Sequence, residues 1–197
     1  MNLKQTLLTL SLLPLLLLAT PGTYVAAQHH HDHKPEHRHH GAHVHGIAAL
    51  NIALEGHELY IELNSPAVNI IGFEHMPKSA ADHAELDKAV ATLKDGNQLF
   101  QFNSSAGCRM EHVHVTSQLL NETHHHTGHD HEHHTHETHA DIAAIYQFEC
   151  TTPIKLKQLN VNLFQAFPNT HKLKVQYVVK SKQSATKLTA TNHVVRF

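Results

Sequence analysis

Imidazole is the chemistry this chain carries in excess. Of its 25 histidines, nine fall between His29 and His45 and nine between His124 and His139. Neutral imidazole nitrogen and carboxylate oxygen form the donor sets of tetrahedral zinc. A run such as His129-Asp130-His131-Glu132-His133-His134 offers both at any spacing a bending chain can use. The candidate ligands of the second tract are His124, His125, His126, His129, His131, His133, His134, His136 and His139. Copper(I) prefers thiolate and thioether, and the chain has only three methionines and two cysteines. Zinc is therefore the first expectation, with nickel and copper(II) behind it. One biased tract reads as a solvated linker; two separate tracts with the same bias argue for metal.

Ordering a mobile tract around an ion costs about 1–2 kcal/mol of backbone entropy per residue fixed. The tracts should bind several ions, each more weakly than a preformed site, and a preformed site must come from the folded part. His43 and His45 lie two apart, so on a strand both share one face. His112 and His114 repeat that spacing. His75 follows Glu74 in an expected loop, and His83 lies on the apolar stripe of an expected helix. Taken singly, each is more readily a hydrogen-bonded surface or edge histidine than a ligand; the paired spacing brings His43 and His45 to an even balance. His57, His171 and His193 have no such support. Gln28-His29-His30 would place histidine third in a processed chain, a square-planar copper(II) or nickel(II) pattern that cyclisation of Gln28 would block.

Enzyme motifs are missing from the sequence. It has no His-Glu-x-x-His, no Gly-x-Ser-x-Gly and no phosphate-binding glycine loop. The inverted zinc-protease string does occur from His129 to His133, but in so histidine-rich a tract a match is close to inevitable, and no apolar helix surrounds it. Fifteen basic residues nearly balance seventeen acidic ones, so no field argues for nucleic acid or anionic lipid. The expectation is a binding protein, not an enzyme.

The elements that position these residues follow from the hydropathy pattern. Lys4, the leucine-rich run from Leu7 to Leu18 and the small residues of Val25-Ala26-Ala27 read as a signal peptide over 1–27. The run is broken by Pro14 and is shorter than the roughly 20 apolar residues of a membrane span. An exported, soluble chain meets an oxidising compartment, so Cys108 and Cys150 should pair; a thiolate metal site is the alternative. Residues 28–42 lack any apolar period and read as a flexible histidine-rich arm. Residues 43–197 form one compact domain with a histidine-rich loop insertion over 121–140. Leu50, Ile52 and Leu54 alternate, as do Leu59, Ile61 and Leu63, giving a hairpin around Gly56. A main helix spans about 79–95, capped by Ser79 with Asp82 at the capping-box position and stopped by Gly96. Short strands are expected near 99–102 and over 110–120, 142–148 and 173–179, with a last one over 187–197; 159–167 fits strand or helix. If 110–120 pairs with 142–148, the disulfide closes one end of the pair and the histidine tract loops from the other. Strands around one helix, without strand–helix–strand alternation, indicate an α+β fold with a mainly antiparallel sheet.

A resemblance then emerges. His43-Val44-His45-Gly46 opening a strand, followed by Asn64-Ser65-Pro66-Ala67-Val68-Asn69-Ile70-Ile71-Gly72-Phe73-Glu74-His75, resembles the ZrgA-type family of periplasmic zinc-binding proteins. Ala106-Gly107-Cys108, the mid-chain histidine tract and Phe164-Gln165-Ala166-Phe167 fit it too, and the likeness runs the length of the processed chain. It implies zinc capture in a Gram-negative periplasm, serving an ABC-type importer, with Glu74 and His75 inside the family's signature and therefore candidate ligands. A periplasmic buffer or store for zinc, nickel or copper, without a transport partner, is the alternative. The tract from His29 to His40 is additional to the family pattern.

Ligand protonation gives a first prediction. Free imidazole titrates near about pH 6.5, so apparent zinc affinity should fall steeply below that pH. Titration calorimetry from pH 8 to pH 5 checks it, and an affinity that stays flat over that range contradicts histidine as the main ligand.

Overall fold

A computed structural model describes residues 44–120 and 140–197. The leader over 1–27, the arm over 28–42, His43 and the nine histidines from His124 to His139 lie outside the described residues. In chain order the elements are β1 (Ile47–Glu55), β2 (Glu58–Pro66), α1 (Ala67–Ile71), α2 (Ala80–Lys94), α3 (Gly96–Leu99), β3 (Phe100–Phe102), β4 (Cys108–Ser117) and β5 (Asp141–Cys150). They continue with β6 (Gln158–Val161), α4 (Leu163–Ala166), β7 (Lys172–Val179), β8 (Lys182–Leu188) and β9 (Val194–Arg196).

Period-two alternation builds the main layer. Leu50 and Ile52 of β1, Leu59, Ile61 and Leu63 of β2, and Ile142, Ala144, Tyr146 and Phe148 of β5 are buried on one face. Their strands join with β4, β7 and β8 in the order β4-β5-β2-β1-β7-β8. Every pairing is antiparallel except the parallel contact of β1 with β7. The hairpin turn falls at Gly56, whose φ of +58° suits the twist of a two-residue connection. A second sheet, β3-β6-β9, packs its aromatics on the first: Phe100 meets Tyr146 and Phe102 meets Phe148, each edge to face at 4.9 Å. Burial pushes the Tyr146 phenol above its ordinary pKa. Helix α2 adds Leu86, Ala89 and Leu93 to the same core. The architecture is thus α+β with mainly antiparallel sheets and one main helix, as expected.

Helix α2 starts on the anticipated capping box: Ser79 Oγ accepts from Asp82 N–H at 3.1 Å, and the Asp82 carboxylate accepts from Ser79 N–H at 3.1 Å. The Lys78 and Ser79 N–H groups hold that carboxyl below its usual pKa. Its C-terminal signal worked differently. The helix ends at Asp95 without a left-handed glycine; Gly96 is needed because a Cβ there would strike Met110 and Tyr146. His83 is a second correction. It is exposed, not part of the inner stripe, because burial in α2 begins only at Leu86 and the first turn projects past the core. The ambiguous 159–167 segment holds most of β6 followed by α4, the tail strand is confined to β9, and β8 forms over Lys182–Leu188, mostly ahead of the expected tail. Strand β8 has a polar sequence because it is an edge of the sheet, where charged residues discourage pairing with another chain.

Cys108 and Cys150 are register partners at one end of the β4–β5 pair and form a disulfide. There His57 Nδ1–H donates to Cys150 O at 2.8 Å, and Cys150 N–H to His57 O at 2.8 Å. At the other end, Ser117 Oγ–H donates to Asp141 O at 2.6 Å, and Ala67 N–H to Ala140 O at 2.8 Å. The bridge spans 42 residues, a span that includes the whole histidine tract. Chain entropy assigns such a closure roughly 4 kcal/mol. Replacing both cysteines by serine should lower unfolding stability by about 2–4 kcal/mol in urea denaturation. A loss under about 0.5 kcal/mol would mean the paired strands already hold the loop base closed.

Candidate metal centre

The site begins at a buried amide. After β2, Pro66 turns the chain into α1, and Asn69 on that short helix is 1 % exposed. Its Oδ1 accepts from Gly46 N–H at 2.6 Å, and its Nδ2 donates to Ile47 O at 3.2 Å and Ser65 Oγ at 3.1 Å. Gly46 is held from its other side as well, its carbonyl accepting from His171 N–H at 2.8 Å and Lys172 N–H at 2.9 Å. Its φ is +79°, and a Cβ would meet His171 Nδ1 at 2.8 Å, so only glycine fits. The residue before it, His45, therefore has a fixed backbone.

The second half of the site leaves α1 through Gly72, whose φ of +85° caps the helix by donating to Val68 O at 3.1 Å. That left-handed cap turns Phe73, Glu74 and His75 toward the start of β1. There His45 Nε2 and Glu74 Oε1 lie 3.3 Å apart, with side chains 60 % and 14 % exposed. Two ligands bound at about 2.0–2.1 Å to a tetrahedral zinc are themselves about 3.3–3.4 Å apart, so the pair already has the edge length of a zinc tetrahedron. His75 is exposed, stacks on Phe73 at 4.8 Å and donates its Nδ1–H to Met76 O at 2.9 Å. That hydrogen bond leaves Nε2 as the lone-pair nitrogen, the outer-shell arrangement seen in metal-binding histidines.

Other sequence candidates fall elsewhere. His45 precedes β1, in a turn closed by Ile47 N–H to Val44 O at 3.0 Å, so the strand argument for a His43–His45 face does not apply; His43 lies outside the described residues. His112 and His114 do share one face of β4, the open one. A bulge at Glu111 puts them there: Met110 opposes Phe148 while His112 opposes Gln147, which turns Val113 and Val115 inward. His83 stands alone on α2. Among the described residues, no third His, Cys, Asp or Glu completes a metal-holding group. His193 Nδ1–H is engaged by Ala190 O at 3.1 Å. Sequence reasoning missed the positioning roles of Asn69 and of the His171 wall; the glycine after His45 was the available signal.

The topology sets this pair at the end of the sheet where the described flanks of the second histidine tract lie. The start of β1, the end of β2, the end of β4 and the starts of β5 and β7 share one end of the six-stranded sheet. Ala140, where the chain re-enters after the histidine tract, is tied to the first residue of α1. Replacing Asn69 by alanine should leave Gly46 N–H and Ile47 O unpaired in the interior, at about 1–3 kcal/mol for each group. Denaturant unfolding should register that loss, and zinc affinity should fall as His45 loses its fixed backbone. Unchanged stability would show that Asn69 does not hold the turn.

No curated protein matches the sequence. No helix among the described residues is long and apolar enough to cross a membrane. The family model described as ZrgA family zinc uptake protein matches residues 42–197, from just before the His45 turn to the C-terminal residue. The chain belongs to the ZrgA family of zinc uptake proteins.

Proposed function

We propose that this chain is an exported zinc carrier: it gathers Zn2+ on its histidine tracts, holds an ion at His45 and Glu74, and supplies it to an ABC-type importer in a Gram-negative periplasm. The observation that carries this reading is the His45–Glu74 pair, two donors of different chemistry at 3.3 Å, fixed by a buried amide rather than by a mobile loop. Membership of a zinc uptake family supports zinc as the ion and a binding or transport role. The leader over 1–27 supports export, with cleavage after Ala27.

Tetrahedral zinc needs more donors than these two. His75 is adjacent, and His43 and the tract over His124 to His139 offer further imidazoles. Tethering that tract beside a fixed pair raises the local concentration of ligand and ion alike. His112 and His114, on the face of β4 that leads into the tract, form a secondary, weaker pair. Capture by many weak ligands followed by retention at one preformed pair is the sequence of events this layout favours.

Calorimetric titration of zinc into the processed chain tests the assignment. His45→Ala and Glu74→Gln should each remove the tightest binding event, weakening it at least about ten-fold, or about 1.4 kcal/mol, while the weaker sites persist. Deleting 121–139 should lower the number of ions bound and leave the fold intact. If both point variants titrate like the wild type, the pair is not the site. Transport is tested separately: a strain lacking the protein should regrow in zinc-depleted medium with the wild-type chain and poorly with Glu74→Gln.

A further inference from the structure

The face of the six-stranded sheet turned away from the core is solvent-exposed along its length. At its middle stand Tyr60, Ile145 and Val178, 36 %, 48 % and 46 % exposed, around a shallow groove of about 460 Å³. Tyr60 and Val178 both flank Ala53 in one cross-strand row, and Ile145 opposes Glu62 in the row beside it. Three large apolar side chains on three different strands make a continuous patch, not scattered exposures.

Its two ends carry opposite charge. At the hairpin end, Glu55 opposes Glu58 and Glu58 opposes Glu149, so three carboxylates run side by side across β1, β2 and β5. The Tyr60 hydroxyl donates to Glu58, and that hydrogen bond, with the nearby Glu55 and Glu58 charges, holds the phenol above its usual pKa. At the metal-centre end, Lys174 opposes Lys187 across β7 and β8, with Lys172 two residues away on the same face. Like charges directly opposite each other destabilise a sheet. Arg109 of β4 stands opposite Glu149 and ends the acidic row; among the described residues no ion pair joins it to a glutamate, and none relieves the lysines.

We propose that this face is the contact surface of a two-fold dimer of the chain. A surface with an apolar middle, an acidic end and a basic end is complementary to itself, and a two-fold axis lying in the contact plane exchanges the ends. The glutamate row of each copy then faces the lysine cluster of the other, and two unfavourable charge rows become favourable contacts. Six strands about 4.8 Å apart, at about 3.3 Å rise per residue, give a face roughly 25 Å on a side. That is of the order of the about 800 Å² per partner found in specific interfaces. Twisted sheets facing each other at a steep angle are an established packing mode. The contact leaves His45 and Glu74 outside it, since both belong to the loops beyond the end of the sheet.

Sedimentation equilibrium of the full processed chain, in chelator so that histidine-bound metal cannot cross-link copies, tests the proposal. The wild type should be a dimer in the micromolar range. Glu58→Lys and Lys174→Glu should each weaken association about ten-fold or more, while folding at least as stably, because each removes a like-charge neighbour within its own sheet. The double variant E58K/K174E should restore the dimer, a rescue that a purely structural effect does not produce. Ile145→Arg should abolish association. A wild type that stays monomeric to about 100 µM, beyond the micromolar weak limit of standard interfaces, overturns the proposal and leaves the face to a different protein. A dimer indifferent to the single reversals, or one that the double variant does not restore, overturns it equally.

Discussion

Gly46 gives its N–H to the Asn69 side chain inside the protein, and the same amide donates to the carbonyl of Ile47. A buried side-chain amide with both ends engaged fixes its partners in direction as well as distance. Here it binds the entry of β1 to the helix that follows β2, two segments more than twenty residues apart. Around that link the chain makes two left-handed turns, at Gly46 and Gly72, and each leads to or from one residue of the His45–Glu74 pair. Without the amide, His45 and Glu74 would be side chains on separate loops, with nothing in the backbone to hold their 3.3 Å separation.

Much of this fold is legible in the sequence because the controlling patterns are local. The hairpin follows from period two in Leu50 to Leu63, the start of α2 from Ser79 and Asp82. The disulfide and the pairing of β4 with β5 follow from two cysteines and two apolar runs that flank the histidines. What was hidden depends on tertiary context. The bulge at Glu111 reverses which residues of β4 face inward, and nothing in Met110-Glu111-His112 signals it. Gly96 looks like a helix stop, yet it is small because Met110 and Tyr146 press on it. Strand β8 carries no apolar alternation because an edge strand is safer polar. The site was half visible for the same reason: His45, Glu74 and His75 stand out by residue type, whereas Asn69, the residue that arranges them, looks like any other asparagine until its burial is known.

The six-stranded sheet separates two mechanical tasks along its length. At the hairpin end, the disulfide and the His57–Cys150 hydrogen bonds lock β2, β4 and β5 together. At the far end, the described flanks of the histidine tract are tied down through Ser117 and Ala140. The tract therefore departs from and returns to a fixed base. Its length adds little to the entropy of closure, since that cost grows only with the logarithm of loop length. Many ligands can then be attached to a small domain without loosening its core.

The proposed sharing of an ion between the His45–Glu74 pair and further donors also bears on how that ion could leave. A structural zinc site is closed, with all four ligands on rigid elements, and releases metal only when the protein opens. A site whose rigid part supplies two donors has its remaining positions filled by groups that can be exchanged one at a time. On the proposed assignment, an incoming ligand on a partner would displace an exchangeable imidazole before His45 or Glu74 lets go, so the ion need never pass through a bare, weakly ligated state. Affinity in such a site is limited by the entropy of ordering the mobile donors, and that same limit keeps transfer accessible. For a protein of a zinc uptake family, a pair preformed to the edge of one tetrahedron suits delivery better than a complete cage would.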